Sequence, residues 1–210
     1  MKQPYIEEAG AFYCTHIQRS DRKDIRKFQI HDTRGKGLLD YLKDCALDDE
    51  TAGEARTYMV WDKVTDELVA YFTLKAGSVT LNEQEPPEIS DESKGTESAE
   101  EKVVEFDTLP GIELADFAVN DAYKEKHKNV SGIGTTVLVR FVLPLVRKAA
   151  EYIGVNLLYI YSLPYESLIN YYSKMGFSRF SPEDERKLHH RIKPRYDVDC
   201  IFMWLPLTDL

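Results

Sequence analysis

The sequence predicts a single α/β domain, and three observations lead there. Segments rich in β-formers alternate with segments of helical periodicity, which interleaves strands and helices around one sheet. The 210 residues are enough for one well-buried core and short for two. No internal repeat divides the chain, and a hydrophobic fraction of 43% can fill such a core.

The elements follow in order. Tyr13-Cys14-Thr15-His16-Ile17 reads as a short first strand. Residues 21–49 are mostly helical in period, with Leu38, Leu39, Tyr41, Leu42, Ala46 and Leu47 on an apolar face. Gly35 and Gly37 interrupt that pattern and predict two helices. Residues 56–61 and 68–74 are rich in β-formers around the polar stretch 62–67, the signature of a β-hairpin. Residues 83–102, rich in Pro, Ser and Glu, bury too little apolar surface to offset their ordering entropy and predict a flexible inserted loop.

A strand at 112–119 follows. A loop then leads to Gly132-Ile133-Gly134 and a helix running to Ile153, where Pro144 predicts a kink or a lost hydrogen bond. Next come a strand at 156–161, a helix at about 165–175, a short strand at 176–180 and a last strand at 199–205. Residues 182–193, of mixed charge and carrying His189 and His190, read as a solvated loop.

Of the net charge of −9, −7 lies in residues 83–101, where eight acidic side chains accompany one Lys. The rest of the chain is near neutral, so the acidity argues only weakly against a nucleic-acid partner. Cys14, Cys45 and Cys200 are far apart and odd in number, which makes neither a disulfide framework nor a zinc spacing. Each is expected to be buried and inert. No apolar run approaches the roughly 20 residues of a membrane span. The first residues lack the apolar region of a secretory signal, so a cytoplasmic protein is expected.

The informative unit is strand, short loop, Gly-x-Gly, helix. A helix start offers unpaired backbone N–H groups and the positive end of the macrodipole. Gly132 and Gly134 let a phosphate approach that backbone, and Lys128 adds a cation nearby. By itself the motif is weak, since glycines at a helix start need no ligand. It is not a Walker loop, because no Gly-Lys-Ser/Thr follows. Nor is it the full dinucleotide fingerprint, because Val137 stands where a third Gly or Ala belongs.

Asn129-Val130-Ser131-Gly132-Ile133-Gly134 resembles the Arg/Gln-x-x-Gly-x-Gly/Ala loop of the GNAT superfamily of N-acetyltransferases, with Asn129 in place of the usual Arg or Gln. Tyr171-Tyr172-Ser173-Lys174-Met175-Gly176-Phe177 is similar to that family's aromatic-Tyr-x-x-x-Gly-Phe motif. The order of the two motifs, their separation and the strand between them match as well. The resemblance spans the chain apart from the acidic insert. It implies a mixed, mostly antiparallel sheet of six to seven strands flanked by helices, with acetyl-CoA as co-substrate and no metal. Asn129, Val130, Ser131, Gly132, Ile133, Gly134 and Thr135 would then hold the cofactor diphosphate. Phe117, Ala118 and Val119 would bind its pantetheine arm and polarise the thioester.

Acetyl transfer to an amine requires the amine to lose a proton, the carbonyl oxygen to be polarised and the leaving thiolate to be protonated. The family register makes Tyr172 the general acid, since a phenol with a pKa near 10 can donate to a thiolate. Packing within its helix is the plainer role for the same residue. Glu113 is the base candidate. Strict alternation puts it on the same strand face as Ala115, Phe117 and Val119, with Asp116 on the other. A water relay without Glu113 serves the same purpose. His127 lies closer to the diphosphate loop than to the amine.

A narrower resemblance points to GNAT toxins of bacterial toxin–antitoxin pairs, which acetylate aminoacyl-tRNA. It rests on residues 39–42, Ala46, 56–58, 70–74, Pro110 and 149–154. Those toxins typically carry Arg where this chain has Asp116, and they lack so acidic an insert. The sequence therefore favours a small-molecule or protein amine as acceptor, with tRNA as the alternative and a non-catalytic acyl-CoA-binding module as a third reading. No membrane partner is expected, and a homodimer is the commonest assembly for such a protein.

Overall fold

The computed structural model describes residues 7–84, 105–191 and 199–209. One sheet of eight strands organises them: β1 (Glu7–Ala9), β2 (Phe12–His16), β3 (Arg56–Asp62), β4 (Leu68–Gln84), β5 (Glu105–Val119), β6 (Leu157–Ser162), β7 (Ser178–Arg179) and β8 (Ile201–Pro206). Their order in space is β1-β2-β3-β4-β5-β6-β8-β7. All neighbours are antiparallel except β5 and β6, which run parallel. The strand beyond the expected six to seven is β1, three residues that turn at Gly10 and pair back on β2.

β4 and β5 are much longer than the predicted 68–74 and 112–119. They pair from Ala70↔Val119 to Gln84↔Glu105. The extra length escapes a hydrophobic reading because residues 75–84 are mostly small and polar, although Val79 among them is fully buried. Glu83 and Gln84, expected in the loop, belong to β4, whereas residues 85–102 of the acidic insert lie outside the described residues.

Helices cover both faces. On one face lie α1 (Arg22–Ile25), α2 (Lys36–Asp40), a π-helical turn (Tyr41–Cys45) and α3 (Ala46–Ala52). Ile25, Tyr41, Leu42 and Ala46 there bury against Met59, Trp61, Tyr71 and Ala118 of the sheet. After α4 (Asp121–Lys126), the other face receives α5 (Ile133–Val137), a π-helical turn (Leu138–Val142), α6 (Leu143–Tyr152) and α7 (Glu166–Lys174). Val137, Phe141, Val142 and Val146 there meet Phe72, Leu114 and Ile160. The helical stretch from α5 to α6 passes Pro144 without breaking. The Leu143 N–H bonds back to the Leu138 carbonyl, a wider turn that takes up the strain where a kink was predicted.

Two further expectations change. Of the stretch 182–193 expected as a loop, Pro182–Arg191 form α8, on the same face as α1–α3, and the last two residues lie outside the described residues. Its Leu188, 1% exposed, packs with Val79, Leu157, Tyr159 and Phe202. The signals were in the sequence. Ser181 caps the start, its Oγ accepting the Asp184 N–H at 3.1 Å, Pro182 follows, and the first turn holds Glu183, Asp184 and Glu185. Among the cysteines, Cys14 and Cys200 are buried as expected but Cys45 is exposed on its π turn, and no disulfide joins any of the three.

Candidate active site

The site begins with a bulge. Asp116 pairs with Thr73 and Leu114 with Leu74, so Ala115 is an extra residue that bulges from β5. β5 pairs with β6 only at Gly111, Ile112 and Glu113, opposite Leu157, Leu158 and Tyr159. Beyond those pairs the two parallel strands part company. A cavity of about 70 Å³ occupies the gap. Leu114, Ala115 and Phe117 of β5 line it on one side, Ile160, Tyr161 and Ser162 of β6 on the other, with Tyr172 of α7 and Leu38 of α2 also in its wall.

Tyr172 is 8% exposed and packs against Phe177, with ring centroids 5.5 Å apart. Burial, and after it the neighbouring Tyr171, raises its pKa well above the ordinary phenol value. It therefore stays protonated at neutral pH and can act as a proton donor. Tyr171 turns away from it toward the glycine loop, its ring centroid 5.1 Å from that of Tyr172.

The loop itself lies at the start of α5. Gly132 caps the helix with φ +67°, in the left-handed region, and no atom lies within 4 Å of where its Cβ would stand. The first helical bond runs from the Thr136 N–H to the Gly132 carbonyl at 2.9 Å, so the N–H groups just before it have no partner earlier in the helix. Asn129, Val130, Ser131, Gly132 and Thr135 are exposed, Gly134 is half-buried and the Ile133 side chain anchors the turn in the core. Exposed backbone donors beside open space fit a diphosphate. His127 is tied up elsewhere: its Nε2 is 2.6 Å from Glu67 Oε2, and its ring stacks on Tyr123.

Phe117 and Val119 pack toward the core under α5–α7, and Ala118 faces α1–α3. Glu113 does not share the face of Phe117 and Val119, as alternation predicted. The bulge at Ala115 shifts the period by one, and Glu113 stands opposite Lys75 on the face of Tyr71, Thr73 and Asp116. Asp116 is correspondingly on the same face as Glu113 rather than the opposite one. On that face Glu113 acts with burial to raise the pKa of both Tyr159 and Tyr161. Asp116, 4% exposed, adds to the upward shift that burial gives Tyr41. Lys75 lies 3.2 Å from Asp49 and above the Tyr41 ring.

No family model matches the chain. Solved structures do resemble it. A mutant of the KacT toxin aligns with a TM-score of 0.62 at 16% identity, over 95% of this chain and 97% of that one. A mutant AtaT toxin bound to acetyl-CoA and the C-terminus of its antitoxin AtaR gives 0.58 at 14% identity, over 95% and 96%. AtaT complexed with acetyl-methionyl-tRNAfMet gives 0.58 at 14%, over 94% and 96%. The fold is GNAT-like.

Within this GNAT-like fold, the parted strands, the glycine loop and the α7 tyrosines converge on one place. Sequence reasoning missed Tyr161, Leu38 and the contribution of Tyr171. Tyr161 was visible only as a strand residue, and a strand residue becomes a cavity wall only where its neighbour strand departs.

Proposed function

We propose that this chain is an acetyl-CoA-dependent N-acetyltransferase. The observation that carries the reading is the cavity between the parted strands, which has Tyr172 in its wall and the glycine loop at the head of the adjacent helix. Residues 129–135 hold the diphosphate through backbone N–H groups, and the backbone of Phe117, Ala118 and Val119 receives the pantetheine arm. The cofactor supplies an acetyl thioester. Tyr172 gives its proton to the departing sulfur as the C–N bond forms and the C–S bond breaks. Glu113 accepts the proton lost by the amine through a water. Its position on the face opposite the loop supports this division, with the acetyl donor on one side of the sheet and the acceptor on the other.

The acceptor we propose first is the amino group of an aminoacyl-tRNA. The likeness to AtaT, solved with acetyl-methionyl-tRNAfMet, runs through almost the whole chain and outweighs the preference drawn from charge alone. Asp116 favours a second reading, a small-molecule or protein amine, because a buried carboxylate beside the acceptor face suits a cationic partner better than tRNA phosphate. The test is incubation with acetyl-CoA and either methionyl-tRNA or a set of polyamines and lysine peptides, read by mass spectrometry. Acetylated methionyl-tRNA, with growth arrest on expression that Tyr172→Phe abolishes, supports the first reading. Acetylation of the free amines alone supports the second. Acetyl-CoA binding without transfer to any of them leaves an acyl-CoA-binding module.

A further inference from the structure

Tyr171 carries a hydroxyl to which the fold gives no well-formed hydrogen bond. Its ring packs against the core beneath α5–α7 and edge-on to Tyr172, tasks that a phenylalanine would perform equally. The hydroxyl oxygen is buried and makes no hydrogen bond of good geometry among the described residues, with the Thr135 side chain as the polar group beside it. Its surroundings are specific. The point where a Gly134 Cβ would stand is 3.8 Å from Tyr171 Oη, 3.9 Å from Phe117 Cζ and 3.9 Å from Val119 Cγ2. The hydroxyl thus packs where the glycine loop, the end of β5 and α7 meet. A cofactor reaching from the parted strands to the loop would run past it.

A buried hydroxyl without a well-formed partner destabilises the fold until something satisfies it, and such groups in a native protein call for an explanation. We propose that Tyr171 donates a hydrogen bond to the diphosphate of the bound cofactor, adding a side-chain donor from α7 to the backbone donors of residues 129–135. The inference rests on the acetyl-CoA reading above. Burial raises the pKa of this phenol, partly offset by the Thr135 side chain, so the group remains a donor across the physiological range. A charged phosphate oxygen is the acceptor that gains most from it.

The test is Tyr171→Phe, which removes one oxygen and keeps the ring. Calorimetry with acetyl-CoA should show Kd rising by about ten- to a hundredfold, the loss expected for one hydrogen bond to a charged group. Binding of S-acetylpantetheine, which lacks the diphosphate, should be unchanged by NMR titration. The melting temperature should hold or rise, because a merely structural tyrosine would lower it when truncated. Equal acetyl-CoA affinity in the two proteins overturns the inference and leaves the cofactor reading intact. Equal weakening toward S-acetylpantetheine also overturns it, by moving the contact to the pantetheine arm. A wild-type protein that binds no acetyl-CoA brings down the cofactor reading, and this inference with it.

Discussion

Glu113 and Phe117 stand four residues apart on β5 yet face opposite sides of the sheet, because Ala115 bulges between them. The same bulge accompanies the parting of β5 from β6 and sends the carboxylate to the face that we propose receives the acceptor. Glu113→Gln keeps the shape and removes the charge. It should lower the rate of transfer by about a hundredfold or more, the usual size of a general-base contribution. Acetyl-CoA affinity should be unaffected. A steady-state comparison of kcat checks this, and equal rates would leave the proton to a water relay.

Tyr172→Phe should reduce kcat by about a hundredfold with acetyl-CoA affinity nearly intact, because only the donated proton is lost. The sign of the pH effect follows from burial. With its pKa raised, Tyr172 is in the donor form at every pH below its ordinary value of about 10, and it loses the proton only above that. The wild-type rate should therefore show no alkaline decline from this group up to about pH 10. A decline near pH 8 that is absent in Tyr172→Phe would contradict the assignment.

The two loop glycines should behave differently. Gly132 has φ +67° with open space around it, so Gly132→Ala should destabilise the fold by about 1 kcal/mol through backbone strain rather than collision. Gly134 has ordinary van der Waals distances around a would-be Cβ, so Gly134→Glu should still fold. It should abolish acetyl-CoA binding by placing a carboxylate against the diphosphate. Thermal melts and calorimetry on both variants separate strain from repulsion, and unchanged affinity in Gly134→Glu would show the loop to be structural only.

α8 should contribute stability well beyond what a surface loop could. Leu188→Ala removes a side chain that is 1% exposed and should cost about 3 kcal/mol. Ser181→Ala should cost about 1 kcal/mol through the lost cap. Denaturant titration measures both. A Leu188→Ala loss below about 0.5 kcal/mol would mean that the helix is not docked.

Much of this was legible in the sequence, for identifiable reasons. The β3–β4 hairpin, the glycine loop and the motif around Tyr172 carry local signals: alternation, turn residues, glycine at a helix start. The bulge at Ala115 carries none, because neither Gly nor Pro marks it and its cause lies in pairing with β4. The face that strict alternation gives Glu113 across that residue was therefore inverted, which puts Glu113 with Asp116 rather than with Phe117 and Val119. The far ends of β4 and β5 were hidden by small and polar residues that form strands because they pair with each other. α8 was different: Ser181, Pro182 and three acids announced a helix start, and the absence of a strong apolar face masked it.

The most direct test of the central claim is thiol release from acetyl-CoA, followed with and without methionyl-tRNA and the free amines. The account predicts release of CoA that depends on an amine, matches the acetylated product in amount and falls by about a hundredfold in Tyr172→Phe. Tight binding of acetyl-CoA with no amine-dependent release, or release unchanged in Tyr172→Phe, would contradict it.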